Sequence, residues 1–363
     1  MQPNNVVINR FMKTKNNIKN SGILLLMSAI FAACSMPHHL LYTTIDVLRP
    51  ASMVFPENIN NLLVVNNCVQ QPETQGHTLS LLNDQPKPIS VNTDSLPMFL
   101  LSALNEEIED KGFFTDNVLI VNSINTRDDF AKISPILPAQ VKNLMEQTGT
   151  DAILSLNKLE LNDLLSEGYN VYTNEYVLGL DAIYNSYWTL QFTDNQQNTQ
   201  TFIFQDTVYW ESSSYDRRQL INNFPDRYDA LVDGALYVGQ KMINRLVPYW
   251  EENDRYIFEI NNPIVQQGMD SVTIRDWTGA ISLWQKAVEQ TEKPKEKALI
   301  QHNIAVAQEI SGDLSGALNI ISQAIVNFGL GGNKKDLNTM LDLRDQLLER
   351  IKQQILLKEQ IGE

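Results

Sequence analysis

Side chains able to do covalent or metal chemistry are sparse in this chain. It has four histidines, His38, His39, His77 and His302, and two cysteines, Cys34 and Cys68. No two of these fall at a metal-ligand spacing. Each histidine is therefore read as solvated or internally bonded, and Cys68, inside an apolar run, as a buried inert thiol. The stretch Gly329-Leu330-Gly331-Gly332-Asn333-Lys334-Lys335 has the look of a phosphate loop. It lacks the required spacing and the Ser or Thr after Lys, and it follows a helical pattern, so it reads as an interhelical loop. There is no Gly-x-Ser-x-Gly elbow. The acidic pairs Glu106-Glu107 and Glu251-Glu252 are adjacent in sequence, so their side chains diverge and cannot bracket a substrate bond. Six aromatics, Tyr169, Tyr172, Tyr176, Tyr184, Tyr187 and Trp188, crowd one region and read first as core and cross-strand pairs.

The residue with the clearest chemistry is Cys34. Residues 1–20 are polar and carry Arg10, Lys13, Lys15 and Lys19 without an acid, and Met12 is a second candidate start. Residues 22–33, Gly-Ile-Leu-Leu-Leu-Met-Ser-Ala-Ile-Phe-Ala-Ala, form an apolar run of 12. That is too short to span a bilayer and suits the core of a signal peptide. Ala32 and Ala33 then precede Cys34, an arrangement that resembles the bacterial lipobox, with Phe31 where Leu is usual. The resemblance implies cleavage after Ala33 and a lipid anchor on Cys34. Ser35-Met36-Pro37-His38-His39 contains no acidic residue, so a periplasm-facing position at the outer membrane is expected over export to the cell surface.

Charge narrows the partners. The formal net charge is −15, and removal of residues 1–33 leaves 24 basic against 43 acidic residues, a net −19. Such a field repels nucleic acid, and no basic cluster offsets it. No cofactor motif and no metal set is expected.

The elements divide the exported part in two. Residues 34–60, with three prolines after Cys34, read as the lipidated cysteine and a tether. A mixed α/β domain of sandwich type is expected over 61–255. Its parts are a buried strand at 61–69, a loop at 70–93 and a helix from Asp94 or Ser95 to Lys111, closed by Gly112. Then follow a strand at 118–121, a helix from Pro138 to Thr148 closed by Gly149, and a strand at 152–156. Residues 186–192 and 201–210 alternate and predict a hairpin with one wet face, turning at Asp194–Asn198. A helix over 228–246 ends before Pro248.

Residues 263–327 show helical periods only and predict an all-α domain over 256–363, so the fold class is α+β. Ala280, Trp284 and Ala287 recur as Ala317, Ile321 and Ala324 after 37 residues, with a turn at Gly312-Asp313. This resembles the tetratricopeptide repeat, with Gln308 where an aromatic is usual, Gly329 where Pro is usual, and a period of 37 where 34 is usual. A charged amphipathic helix over 334–360 is expected to close the array.

The exported region is similar to a group of uncharacterised Gram-negative tetratricopeptide lipoproteins. The resemblance is carried by the lipobox, the strand at 61–67, Gly149-Thr150-Asp151-Ala152, Leu246-Val247-Pro248-Tyr249-Trp250 and Asp276-Trp277-Thr278-Gly279-Ala280 with Trp284. That group implies no enzyme activity. The strand order and the Gly-Thr-Asp-Ala turn also resemble α/β modules of lipoproteins that activate peptidoglycan synthases or build curli-secretion pores. The expected function is a non-enzymatic, membrane-anchored adaptor for an envelope protein. An alternative is a glycan- or peptide-binding module over 169–210. The candidate contacts are Tyr187 and Trp188, with Trp277 and Trp284 in the helical half. A hydrolase with a dispersed site is the third reading, and needs a concave pocket with perturbed carboxylates.

Overall fold

The structure is a computed structural model and describes residues 40–56, 59–82, 84–127, 129–192, 199–329 and 333–361. Cys34, His38, His39, the Asp194–Asn198 turn and Gly331-Gly332 lie outside the described residues.

The expected strand–helix–strand–helix–strand unit is present as β2 (Asn61–Asn66), α1 (Leu96–Lys111), β5 (Asp116–Ile120), α2 (Pro138–Thr148) and β6 (Ala152–Asn170). β2 lies between β5 and β6 and runs parallel to both. Alternation along the strands fixes which helix covers which face. Leu62, Val64, Leu154 and Leu156 point to α1 and to α4 (Arg227–Leu246). Leu63, Val65 and Ile153 point to Val141 and Met145 of α2. A strand covered on both faces has no polar alternation to show, which is why 61–66 reads as a continuous apolar run. α1 and α2 end at Gly112 and Gly149, both left-handed, with φ of 58° and 68°. α4 lies close against α1 because Gly239 has no side chain. A Cβ there would sit 2.2 Å from the Leu100 carbonyl oxygen.

Five expectations are corrected. The loop at 70–93 contains β3 (His77–Ser80), parallel to β6, and the short β4 (Lys87–Pro88). The strand at 152–156 continues to Asn170 past an irregularity between Leu156 and Lys158. It pairs with β7 (Glu175–Phe192), which pairs with β8 (Gln200–Ser214), so the hairpin is far longer than its alternating segments suggest. The 34–60 tether is shorter than expected, because Leu40–Arg49 form β1. The boundary at 255 falls inside β9 (Tyr249–Phe258), which pairs antiparallel with β1 from Leu40↔Phe258 to Arg49↔Tyr249. This two-stranded ribbon joins the α/β part to the helices, since Ile257 and Phe258 already belong to the helical core.

The helical part follows as α5 (Pro263–Thr273), α6 (Trp277–Gln290), α7 (Pro294–Ile310), α8 (Leu314–Phe328) and α9 (Lys334–Ile361). The 37-residue spacing has a structural counterpart. Asp276 accepts from the Gly279 N–H at 2.9 Å, and Asp313 accepts from the Gly316 N–H at 2.8 Å. A Cβ on either glycine would meet its aspartate at 2.1 Å. Ala280, Trp284, Ala287 and Ala317, Ile321, Ala324 are all buried. α9 closes the array and reaches back to the ribbon. Arg49 donates to Gln353 at 2.9 Å, and the Ala51 N–H donates to Gln360 at 2.9 Å. Among the described residues no helix is long and apolar enough to cross a membrane.

Candidate functional site

Two of the four candidate contacts are core residues. Trp188 lies inside the β7 face under α4, stacked on Phe202 at 6.3 Å between ring centroids, and its indole N–H donates to Ser186 at 2.8 Å. Trp284 is fully buried, with its N–H donated to the Val265 carbonyl at 3.1 Å. Gly268 makes room for that indole, since a Cβ there would lie 2.2 Å from its nitrogen. Rings that are enclosed and already bonded cannot meet a ligand, so Trp188 and Trp284 are withdrawn as binding residues. Tyr184 is also enclosed, donating to the Leu231 carbonyl at 2.7 Å, and burial pushes its phenol well above the usual range. Trp277 is half-buried against the helical core. Tyr187 is half-buried on the opposite face of β7, 3.4 Å from Glu160 and 5.6 Å below the Lys158 ammonium. Burial first, then Glu160, raises its pKa. Of the six clustered aromatics, Tyr169 and Tyr172 at the β6–β7 tip are exposed, and Tyr209 on β8 is exposed as well. Tyr169 meets Tyr176 at an interplanar angle of 63°, so the pair forms no flat platform for a sugar ring.

A cavity lies elsewhere, away from these aromatics. It measures about 180 Å³ and sits beyond the carboxyl end of β2, beside the start of α1. The α1 crossover leaves β2 for β5 on one side, and the α2 crossover carries the chain back past β2 to β6 on the other. This is a topological switch point, where open α/β sheets commonly hold ligands. Its lining includes Asn66, Cys68, Gln71, Thr93, Leu96 and Leu161. Of the three amides in the lining, Asn66, Gln70 and Gln71, the first and last are committed to the main chain. Asn66 donates to the Val121 carbonyl at 2.8 Å and accepts from the Cys68 N–H at 3.0 Å. Gln71 both donates to and accepts from the Leu161 backbone at 2.8 Å. The Cys68 sulfur lies 3.4 Å from the Leu156 carbonyl, and burial pushes the thiol far up, so it stays protonated and unreactive. The cavity is thus walled by neutral groups, with Asp94 as the charged member of the lining.

Charge is concentrated under the second half of β6. His77, expected in a polar loop, is instead buried in β3 against Asp163. Arg227, at the start of α4, donates to Asp163 at 2.7 Å and to the Thr78 carbonyl at 3.1 Å. One turn of sheet away, Arg217 of α3 (Arg217–Asn223) grips Glu167 with two nitrogens, one at 2.7 Å, and holds that carboxyl below its usual range. These contacts bind β3, β6, α3 and α4 together. In the helical part, Glu309 is held between Arg255 and Arg350, and the His302 Nε2–H donates to the Tyr256 carbonyl at 3.0 Å beside a cavity of about 90 Å³. Among the described residues no group of three His, Cys, Asp or Glu could hold a metal ion. Buried Asp163 and Glu167 escaped sequence reading because their partners lie 50 to 86 residues away.

The architecture defines a mixed α/β domain that carries a short array of helical hairpins. The chain belongs to the family described as Domain of unknown function (DUF8603), whose model matches residues 59–258. A second model, Domain of unknown function (DUF6340), matches residues 266–348. The first match ends with β9, and the second begins inside α5. Among solved structures, the chain is similar to one titled "Crystal structure of uncharacterized protein". The identity is 14%, the match covers 51% of this chain and 90% of that one, and the TM-score is 0.22. No curated protein matches the chain.

Proposed function

We propose that this protein is a lipid-anchored adaptor of the bacterial envelope, held through Cys34 at the outer membrane and facing the periplasm, that binds another envelope protein. The observation that carries the reading is the pair of hairpins α5–α6 and α7–α8, capped alike by Asp276 and Asp313 and closed by α9. Stacked hairpins of this kind, here of the tetratricopeptide type, bury a continuous inner seam and leave an extended outer surface for a partner. That surface carries isolated apolar side chains, including Ile274 at 76% and Val326 at 79% exposure. The anchor reading supports a close approach to the membrane. Leu40, the first residue of β1, is six residues from Cys34, a reach of at most about 20 Å. The ribbon would hold both domains against the bilayer.

The test is chemical cross-linking in native membranes followed by purification of the full-length protein. The expected result is one envelope protein captured by the wild type and reduced with Ile274→Asp and Val326→Asp. Capture of nothing beyond the level seen with Cys34→Ser overturns the adaptor reading.

A further inference from the structure

The large sheet has three open edges, and two of them are blunted. β4 has two residues, one of them Pro88, and β5 has five and begins at Asp116. The third edge is β8, with 15 residues. Among the described residues β8 pairs with β7 alone, in unbroken register from Tyr176↔Ser214 to Leu190↔Gln200. β8 has no Pro, Lys or Arg and no bulge to protect the edge, and its charged residues are the carboxylates Asp206 and Glu211. Its odd-numbered residues from Thr201 to Ser213 are all exposed, Ile203 at 58% and Tyr209 at 52% among them. This edge is about 50 Å long and its outward N–H and C=O groups face away from β7, an arrangement that another strand can extend. The Thr207 N–H donates to the adjacent Asp206 side chain at 2.8 Å, a local bond that an added strand would displace.

We propose that the β8 strands of two copies pair antiparallel across a two-fold axis at Thr207, joining their sheets into one. This inference does not depend on the adaptor reading. Full overlap of the strand with itself sets Gln200 opposite Ser214 and places the axis at the middle residue, Thr207. In that register Phe204 meets Trp210, Gln205 meets Tyr209, Asp206 meets Val208 and Glu211 meets Ile203. No carboxylate then faces a carboxylate. Moving the axis one residue to Asp206 would oppose the two Asp206 side chains, a destabilising pair. The residues that meet on the outer face are the exposed ones, and Phe204 and Trp210 extend the face covered by α4. An isologous contact of this kind closes at two copies and leaves no further edge of this length. Because the chain is acidic overall, association is expected to strengthen with salt.

The experiment places single cysteines at Gln205, Thr207 and Tyr209 in the full-length protein carrying Cys34→Ser, with Cys68 left in its core, and applies mild oxidation to the cells. Thr207→Cys is expected to give a disulfide-linked dimer. Gln205→Cys and Tyr209→Cys are expected to cross-link to each other on co-expression and not to themselves. Thr207→Lys, on the exposed face, is expected to weaken self-association of the detergent-purified protein roughly fivefold, with unchanged circular dichroism. A monomer at all concentrations, equal cross-linking at the three positions, or an undiminished dimer in Thr207→Lys would overturn the proposal.

Discussion

Replacing Glu309 with alanine removes the carboxylate that two guanidinium groups share inside the helical core. The Glu309 side chain is fully buried, Arg255 is 3% exposed and Arg350 is 18% exposed. Arg255 comes from β9, Glu309 from α7 and Arg350 from α9, so the cluster ties the ribbon to the array at both ends. Arg255 donates to Glu309 through two nitrogens, at 2.6 and 2.8 Å. Losing one partner of a buried pair costs about 3–5 kcal/mol, because the remaining charge keeps its desolvation penalty. A domain of this size has a stability of roughly 5–15 kcal/mol, so Glu309→Ala should bring the helical part close to unfolding. The assay is urea denaturation followed by far-ultraviolet circular dichroism, with the helical transition fitted on its own. The double variant Arg255→Met/Glu309→Leu separates charge from packing. It removes the inner pair, leaves Arg350 free to turn toward solvent, and should recover most of the loss. A cost below about 1 kcal/mol for Glu309→Ala would refute the reasoning.

Three further outcomes follow from the packing. Burial lowers the His302 pKa from 6.5 to about 4, so the folded chain resists a proton that the unfolded chain accepts. Stability from this residue is intact above pH 6.5 and falls by roughly 3 kcal/mol as pH drops to about 4. His302→Gln should flatten that part of the pH–stability profile, and an unchanged slope would contradict the assignment. Gly239→Ala should destabilise the α/β domain by roughly 3 kcal/mol, because the new methyl meets the Leu100 main chain and no side chain can move aside. A melting temperature within error of the wild type would contradict it. Asp276→Ala and Asp313→Ala should each cost about 1 kcal/mol, measured by denaturation, and unequal costs would argue against equivalent hairpins.

Local signals in the sequence located the short-range structure. Pro138 and Gly149 bound α2 as expected, and Gly112 ends α1, since a proline at a helix start and a left-handed glycine at its end act within a few residues. The paired alanines and Gly312-Asp313 placed the helical hairpins for the same reason. The continuation of β6 was hidden. Lys158, Asp163 and Glu167 look like solvent-facing breaks, yet all three are buried, with Asp163 and Glu167 neutralised by Arg227 and Arg217 from distant elements. β1 and β9 were hidden because a two-stranded ribbon with an acidic side has no continuous apolar face. The candidate aromatics were legible as a cluster, but alternation does not reveal which face a helix covers. α4 covers the even-numbered side of β7 and closes Tyr184 and Trp188, leaving Tyr187 on the other. The open β8 edge was visible only as alternation, because an unpaired edge is a property of the sheet.

An adaptor held at the membrane stands or falls first on its anchor. The measurement is the mass of the N-terminal peptide of the protein purified from membranes, alongside fractionation of Cys34→Ser. The expected result is a mature chain that begins at Cys34 with a lipid mass on that residue, and release of Cys34→Ser into the soluble fraction. An N-terminal peptide without lipid, together with membrane retention of Cys34→Ser, would contradict it.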